Sequence, residues 1–240
     1  MKAVDILRQA AGMRLEDQDG GVESLRLLPG LSEQELKDLE SRLPCPLPQE
    51  AREVLSTCRG LEGILESVDF SGLGGGFGME EIFPCPIPIA HDGFGNYWIV
   101  DVTSESTTWG PIFFACHDAP VIVFQTDSLA HFISELLRFG SPPWKSEIDD
   151  VHEQYHHRIW RDNPGTLTYE QCVSLADPDL ATFARSLDET YLFIDLRSPK
   201  IGDGFSWGRY GPRTVNKRFG EQRIFAYQTR KSFWQRILGK

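Results

Sequence analysis

The chain has 240 residues, of which 40% are hydrophobic and 11% aromatic, and its formal net charge is −11. A chain of this length and composition can bury a substantial core, which excludes general disorder. No apolar run approaches the roughly 20 residues of a membrane span, and the first residues lack the pattern of a signal peptide. The five cysteines form no C-x-x-C pair, so we expect buried or free thiols and a cytoplasmic protein.

The charge is unevenly distributed along the chain. Residues 1–140 carry 9 Lys and Arg against 22 Asp and Glu, whereas residues 197–240 carry 11 against 2. An acidic part of this kind attracts a basic partner, and a basic tail attracts an acidic protein surface or a nucleic acid. The sequence indicates no membrane partner.

The first predicted elements are helices. Residues 1–13 have an amphipathic helical pattern, and the stretch LSEQEL (31–36) contains a capping box that begins a second helix. Pro48 is a favourable first-turn residue for a third helix, which we expect to run to Cys58. Gly60 is then expected to provide the left-handed exit of that helix.

Residues 61–126 have the pattern of short strands separated by glycine-containing turns, with runs such as NYWIVDV, GPIFFACHD and PVIVFQT. The segment DSLAHFISELLRF (127–139) returns to a helical period. GSPPWKS (140–146) cannot continue that helix and marks a predicted domain boundary. We therefore expect one domain at 1–140 and a C-terminal extension at 147–240.

The extension is predicted to be a smaller α+β unit. Its helices are expected at 147–161, 169–175 and 177–187, where the second has a capping box and the third begins at an Asp cap followed by Pro. YLFIDL is a predicted strand, TVNKRF and RIFAYQT a predicted hairpin, and KSFWQRIL (231–238) a closing helix with a basic face.

The order of motifs in the first part resembles the SUKH superfamily, which includes fungal cell-wall-assembly regulators and bacterial toxin-immunity proteins. The resemblance covers about residues 25–140 and rests on an ordered series of short motifs: Leu31-Ser32, Leu47-Pro48, Gly60, Ile87-Pro88-Ile89-Ala90-His91-Asp92-Gly93-Phe94-Gly95-Asn96, Asp101 and Ser128-Leu129-Ala130-His131-Phe132. It implies an α+β fold in which helices pack on one curved mixed or antiparallel sheet.

The resemblance also implies a function. It suggests a cytoplasmic immunity protein that neutralises a cognate bacterial toxin by direct binding, without catalysis and without a cofactor. The acidic first part fits a basic toxin, since complementary charge accelerates capture. We expect the partner-binding residues to be Glu80, Glu81, Asp92, Asp101 and Asp118, together with Arg209, Arg213 and Arg218 of the extension.

One string, HEQYH (152–156), matches the H-E-x-x-H pattern of zinc hydrolases. His152 and His156 are the candidate ligands and Glu153 the candidate base, but the sequence offers no convincing third ligand. The helix around it is mostly polar, which favours a solvated helix surface.

Two alternatives to immunity stay open at this point. The zinc-dependent hydrolase is one. The other is a nucleic-acid-associated regulator that uses the basic and aromatic residues of the tail. A third interpretation of the tail is that it neutralises the acidic first part within the same molecule.

Overall fold

The structure is a computed structural model that describes residues 1–16, 19–73 and 78–229. The predicted closing helix at 231–238 lies outside the described residues. No helix among those described is long and apolar enough to cross a membrane. The helices are α1 (Ala3–Ala10), α2 (Glu33–Glu40), α3 (Gln49–Thr57), α4 (Leu129–Phe139), α5 (Glu147–Asp149), a π-helical segment (Asp150–Tyr155), α6 (His156–Asp162), α7 (Tyr169–Ser174) and α8 (Pro178–Arg185).

The strands form one large sheet and two small ones. They are β1 (Arg14–Glu16), β2 (Val22–Ser24), β3 (Arg26–Pro29), β4 (Cys58–Glu62), β5 (Ser67–Asp69), β6 (Pro86–His91), β7 (Tyr97–Asp101), β8 (Ile112–Cys116), β9 (Val121–Thr126), β10 (Tyr191–Asp195), β11 (Gly204–Phe205), β12 (Asn216–Arg218) and β13 (Ile224–Gln228). The large sheet has eight strands in the order β11-β9-β8-β7-β6-β5-β4-β3, and every neighbouring pair is antiparallel.

Alternate residues of the large sheet face two different apolar layers. On β7, Trp98 and Val100 join the layer under α1, α3 and α4, whereas Ile99 points to the opposite face. Successive side chains of a strand point to opposite faces of the sheet, so apolar residues at successive positions show that both faces are covered. Both faces of the central strands are therefore buried.

The C-terminal part covers the second face. Its three-stranded sheet has the order β10-β13-β12, and β13 alternates in the same way: Phe225 and Tyr227 pack against the large sheet, and Ile224 and Ala226 pack against α7 and α8. The layers are thus helices, large sheet, small sheet and helices. This is an α+β fold, as predicted from the sequence. The division of the chain into two domains near 140–146 stays a prediction.

The locally encoded features agree with the sequence analysis. Both capping boxes are present, at Ser32 with Glu35 and at Thr168 with Gln171, and the cysteines are free thiols, as expected. Gly60 was predicted wrongly. It lies inside β4 rather than in a left-handed exit, at a position where a β-carbon would come 2.1 Å from the carbonyl oxygen of Val68.

Candidate partner-binding surface

The meander topology of the large sheet divides the predicted acidic residues between its two ends. The loops at 63–66, 92–96 and 117–120 lie at one end, which we call the hairpin end. The connections at 70–85 and 102–111 lie at the other end. Asp92 and Asp118 are therefore brought together at the hairpin end, whereas Glu80 and Glu81 are exposed at the opposite end.

Asp101 and Arg218 do not lie on the surface, which corrects the expectation that they face a partner. The Asp101 side chain is fully buried and the Arg218 side chain is 2% exposed. Arg218 donates to both oxygens of Asp101, at 2.7 and 3.0 Å, and Arg223 donates to Oδ2 at 2.6 Å. A buried carboxylate is stable only when charge and hydrogen bonds compensate it, and these two guanidinium groups do so.

The same contacts bear on the interpretation of the basic tail. Besides the Asp101 cluster, Glu221 accepts hydrogen bonds from the backbone amide and hydroxyl of Ser104, at 3.0 and 2.6 Å. Two tail arginines thus neutralise an acidic residue of the first part within the molecule. This is the intramolecular alternative considered from the sequence.

The other tail residues differ in exposure. Arg213 is exposed, whereas Arg209 donates to the carbonyl oxygens of Trp160 and Arg161 and lies over the Trp160 ring. Arg230 and the residues after it lie outside the described part of the chain. Of the three predicted arginines, Arg213 is the one whose guanidinium is not engaged by a hydrogen bond or ring within the described residues.

At the hairpin end, Asp92 organises the β6–β7 loop. Its side chain is 7% exposed and accepts hydrogen bonds from the amides of Phe94 and Asn96 and from Nδ2 of Asn96, at 2.8, 3.2 and 2.6 Å. Burial acts to raise the pKa of Asp92, but the hydrogen bonds from Asn96, His152 and Phe94 outweigh it, and the pKa is lowered. Asp92 is therefore a structural carboxylate and not a free surface charge.

The loop that Asp92 holds presents an aromatic ring to solvent. Phe94 is 77% exposed and lies between Gly93 and Gly95, whose φ angles of +85° and +89° favour glycine. Oδ1 of Asn96 accepts a 2.8 Å hydrogen bond from the His117 amide, which ties this loop to the β8–β9 turn. The ring is thus displayed on a loop fixed at both ends.

Three exposed carboxylates surround this loop. A β-carbon at Gly93 would lie 3.4 Å from Cγ of Glu66. Asp118 follows His117, and its side chain is 85% exposed. Glu153 contacts Nδ1 of His152 at 2.7 Å. Within the described ranges, no lysine or arginine pairs with any of the three carboxylates. We call Phe94 with Glu66, Asp118 and Glu153 the acidic knob.

Phe94, Glu66 and Glu153 were not predicted from the sequence as partner-binding residues. The available signal was local: in DGFGN, two glycines flank an aromatic residue at a hairpin turn, and an Asp that precedes them can accept from the turn amides. The arrangement of the two glutamates around that turn depends on tertiary structure and has no local signature.

The side chains of the HEQYH string are not arranged as a metal site among the described residues. Its first four residues belong to the π-helical segment, and both ring nitrogens of His152 contact carboxylates, Nε2 that of Asp92 at 3.0 Å and Nδ1 that of Glu153. In the described part of the chain, no group of three or more His, Cys, Asp or Glu side chains is arranged to hold a metal ion.

His156, expected on the polar face, instead points inward. It is 9% exposed, and its Nδ1 has no hydrogen-bond partner. Burial lowers the pKa of His156, and the charges of His157 and His152 lower it further. Ile148, Val151 and Ile159 of the same helical region are also buried.

The fold is an α+β architecture built on an antiparallel meander, with exposed polar and aromatic groups at the loops of its hairpin end. Residues 30–135 match the model of the SMI1 / KNR4 family (SUKH-1). This match supports the resemblance to the SUKH superfamily that the motifs of residues 25–140 indicated. No curated protein and no solved structure was found to match the chain.

Proposed function

We propose that the chain is an immunity protein that acts in the cytoplasm and neutralises a cognate bacterial toxin by direct, non-catalytic binding. The observation that carries this proposal is the match of residues 30–135 to the SUKH-1 family. The SUKH superfamily includes both regulators and immunity proteins, and non-catalytic binding of a protein partner is compatible with both roles.

The surface chemistry supports a basic protein partner. The three carboxylates of the acidic knob have no lysine or arginine partner among the described residues, and the segments 62–67, 91–96 and 117–120 contain no lysine or arginine. A surface of this kind attracts basic proteins and increases the rate of association. Phe94 adds an aromatic group of the type that contributes strongly at interfaces.

The two alternatives have less support. A nucleic-acid regulator would need several free tail cations. Arg213 is exposed, but Arg218 and Arg223 are paired with Asp101. A zinc hydrolase would need His152 as a ligand, and both of its nitrogens already contact carboxylates. We therefore retain the immunity proposal.

The test is co-expression with the C-terminal domain of a toxin encoded by the neighbouring gene. We expect the chain to restore bacterial growth and to co-purify with that domain at physiological salt. Replacing Phe94 by Ala should reduce both effects. Replacing Leu175 by Ala also removes an exposed apolar side chain, but after α7, and is the matched control that should reduce neither. Absence of both rescue and co-purification with the wild-type chain would contradict the proposal.

A further inference from the structure

A cavity of about 260 Å³ lies beside the acidic knob. It is formed where the β1–β2 hairpin, the β4–β5 loop, the end of α4 and the segment around Trp144 converge. Its apolar walls are Leu15, Ile64, Leu65, Phe139 and Trp144. This volume is smaller than the roughly 300–1,000 Å³ of pockets for drug-sized ligands, so the cavity suits a single side chain better than a cofactor.

The walls of the cavity are tied together by hydrogen bonds. The Glu16 amide donates to the carbonyl oxygen of Gly140 at 3.2 Å, and the indole Nε1 of Trp144 donates to the carbonyl oxygen of Glu16 at 2.6 Å. Leu65 and Trp144 both have positive φ angles, of 56° and 55°. The cavity is therefore a formed feature of the fold, and an occupant would not need to open it.

The polar side chains at the cavity are carboxylates. Glu16, Glu23 and Asp149 line it, and among the described lining residues there is no lysine, arginine or histidine. Burial raises the pKa of Asp149, and the nearby charges of Glu153 and Asp150 raise it further. A cation in the cavity would compensate this excess of negative charge, and apolar walls would hold an aliphatic stem.

We propose that this cavity receives a lysine or arginine side chain of a protein partner, with its stem against Leu65 and Trp144 and its charge at Glu23 and Asp149. This inference rests on the proposed immunity function, since it names the site at which the toxin would be anchored.

The position of the cavity favours a protein as the source of that side chain. Leu65 of the cavity precedes Glu66 of the acidic knob, and Asp149 lies near Glu153, which is also part of the knob. The cavity and the acidic knob are thus neighbours through these two pairs of residues. A free amine would contact the cavity alone, whereas a protein would contact both.

The first experiment needs no toxin. The full-length chain, with labelled methyl groups, is titrated by NMR with N-acetyl-arginine amide, and the methyls of Leu15, Ile64 and Leu65 are followed. N-acetyl-citrulline amide, which is nearly isosteric but uncharged, is the control probe. We expect saturable shifts with the arginine probe at millimolar concentration and much smaller shifts with citrulline. Equal shifts with both, or none with either, would overturn the inference.

Charge-removing variants then show which carboxylates the binding of the arginine probe requires. The double variant Glu23→Gln/Asp149→Asn should bind the arginine probe about tenfold more weakly, as expected for the loss of charge-assisted hydrogen bonds. Glu105→Gln with Glu189→Gln changes the charge equally at two exposed positions outside the cavity and the acidic knob, and it should leave the titration unchanged. Methyl shifts that respond equally to both pairs would show only a general field effect and would overturn the inference.

The toxin domain separates the two proposals. If the wild-type chain binds the toxin and E23Q/D149N binds it as tightly, the cavity is not the anchoring site, although the immunity function stands. If the arginine probe binds selectively and the wild-type chain neither binds nor neutralises the toxin, the immunity function fails while the selectivity of the cavity is supported.

Discussion

The buried cluster of Asp101, Arg218 and Arg223 gives the sharpest prediction about stability. Replacing Asp101 by Asn keeps the shape of the side chain but removes the one negative charge between two guanidinium groups. Arg218, whose side chain is 2% exposed, then becomes a buried cation that has lost its salt-bridge partner. Its other hydrogen bonds are donated to backbone carbonyl oxygens. Breaking a buried pair in this way costs about 3–5 kcal/mol.

The magnitude can be measured by urea unfolding followed by tryptophan fluorescence and by calorimetry. For a chain of this size about 1 kcal/mol shifts Tm by roughly 2–4 °C, so Asp101→Asn should lower Tm by roughly 6–20 °C. Glu62→Gln is the matched control, because the Arg26–Glu62 pair is also close, at 2.6 Å, but its side chains are 75% and 44% exposed. That change should cost about 1 kcal/mol or less.

A double variant tests the reason for the loss. Asp101→Leu combined with Arg218→Met removes both buried charges, and Arg223, with its side chain 23% exposed, can reach water. The double variant should therefore lose less stability than the sum of the two single variants. A loss below about 1 kcal/mol for Asp101→Asn, or strict additivity in the double variant, would refute the reasoning.

Four further predictions concern other parts of the molecule. Burial lowers the pKa of His156, so the unfolded chain binds a proton at this residue at higher pH than the folded chain does. The free energy of unfolding should therefore fall as the pH drops below about 6.5. In His156→Phe, the urea midpoint should lose the part of its pH dependence that comes from this histidine. Phe205 is 1% exposed and stacks on two aromatic rings between the sheets. Replacing it by Ala should lower the free energy of unfolding by about 3–5 kcal/mol. Phe94→Ala should change unfolding free energy by less than about 0.5 kcal/mol but weaken toxin binding in calorimetric titration by about tenfold or more. The untagged chain should hold no stoichiometric zinc by metal analysis, and His152→Ala should leave its metal content unchanged; stoichiometric zinc lost in that variant would contradict this.

The features that the sequence predicted well are those set by neighbouring residues. The capping box at Ser32 and the Asp177 cap followed by Pro178 specify where helices begin from within one turn of chain, and the apolar period of α4 specifies its buried face. In such cases the physical cause lies within a few residues, so the sequence displays it directly.

The features that the sequence did not predict depend on contacts between distant segments. Asp101 and Arg218 are 117 positions apart, and each one alone resembles an ordinary surface charge. Gly60 was interpreted as a helix exit because glycine commonly has that role, but here it allows β5 to approach closely. His156 is buried directly after the π-helical segment, and such a segment has no clear sequence signal.

The short strand β11 has a consequence for solubility. It covers the free edge of β9 by pairing Gly204 with Val123 and Phe205 with Ile122. An open edge rich in β-branched and aromatic residues is a template on which another chain can add a strand and begin aggregation. A β-carbon at Gly204 would come 1.9 Å from the carbonyl oxygen of Ile122, so this glycine keeps the edge closed. The C-terminal part thus protects the sheet from self-association, a role that a chain ending at residue 140 could not fulfil.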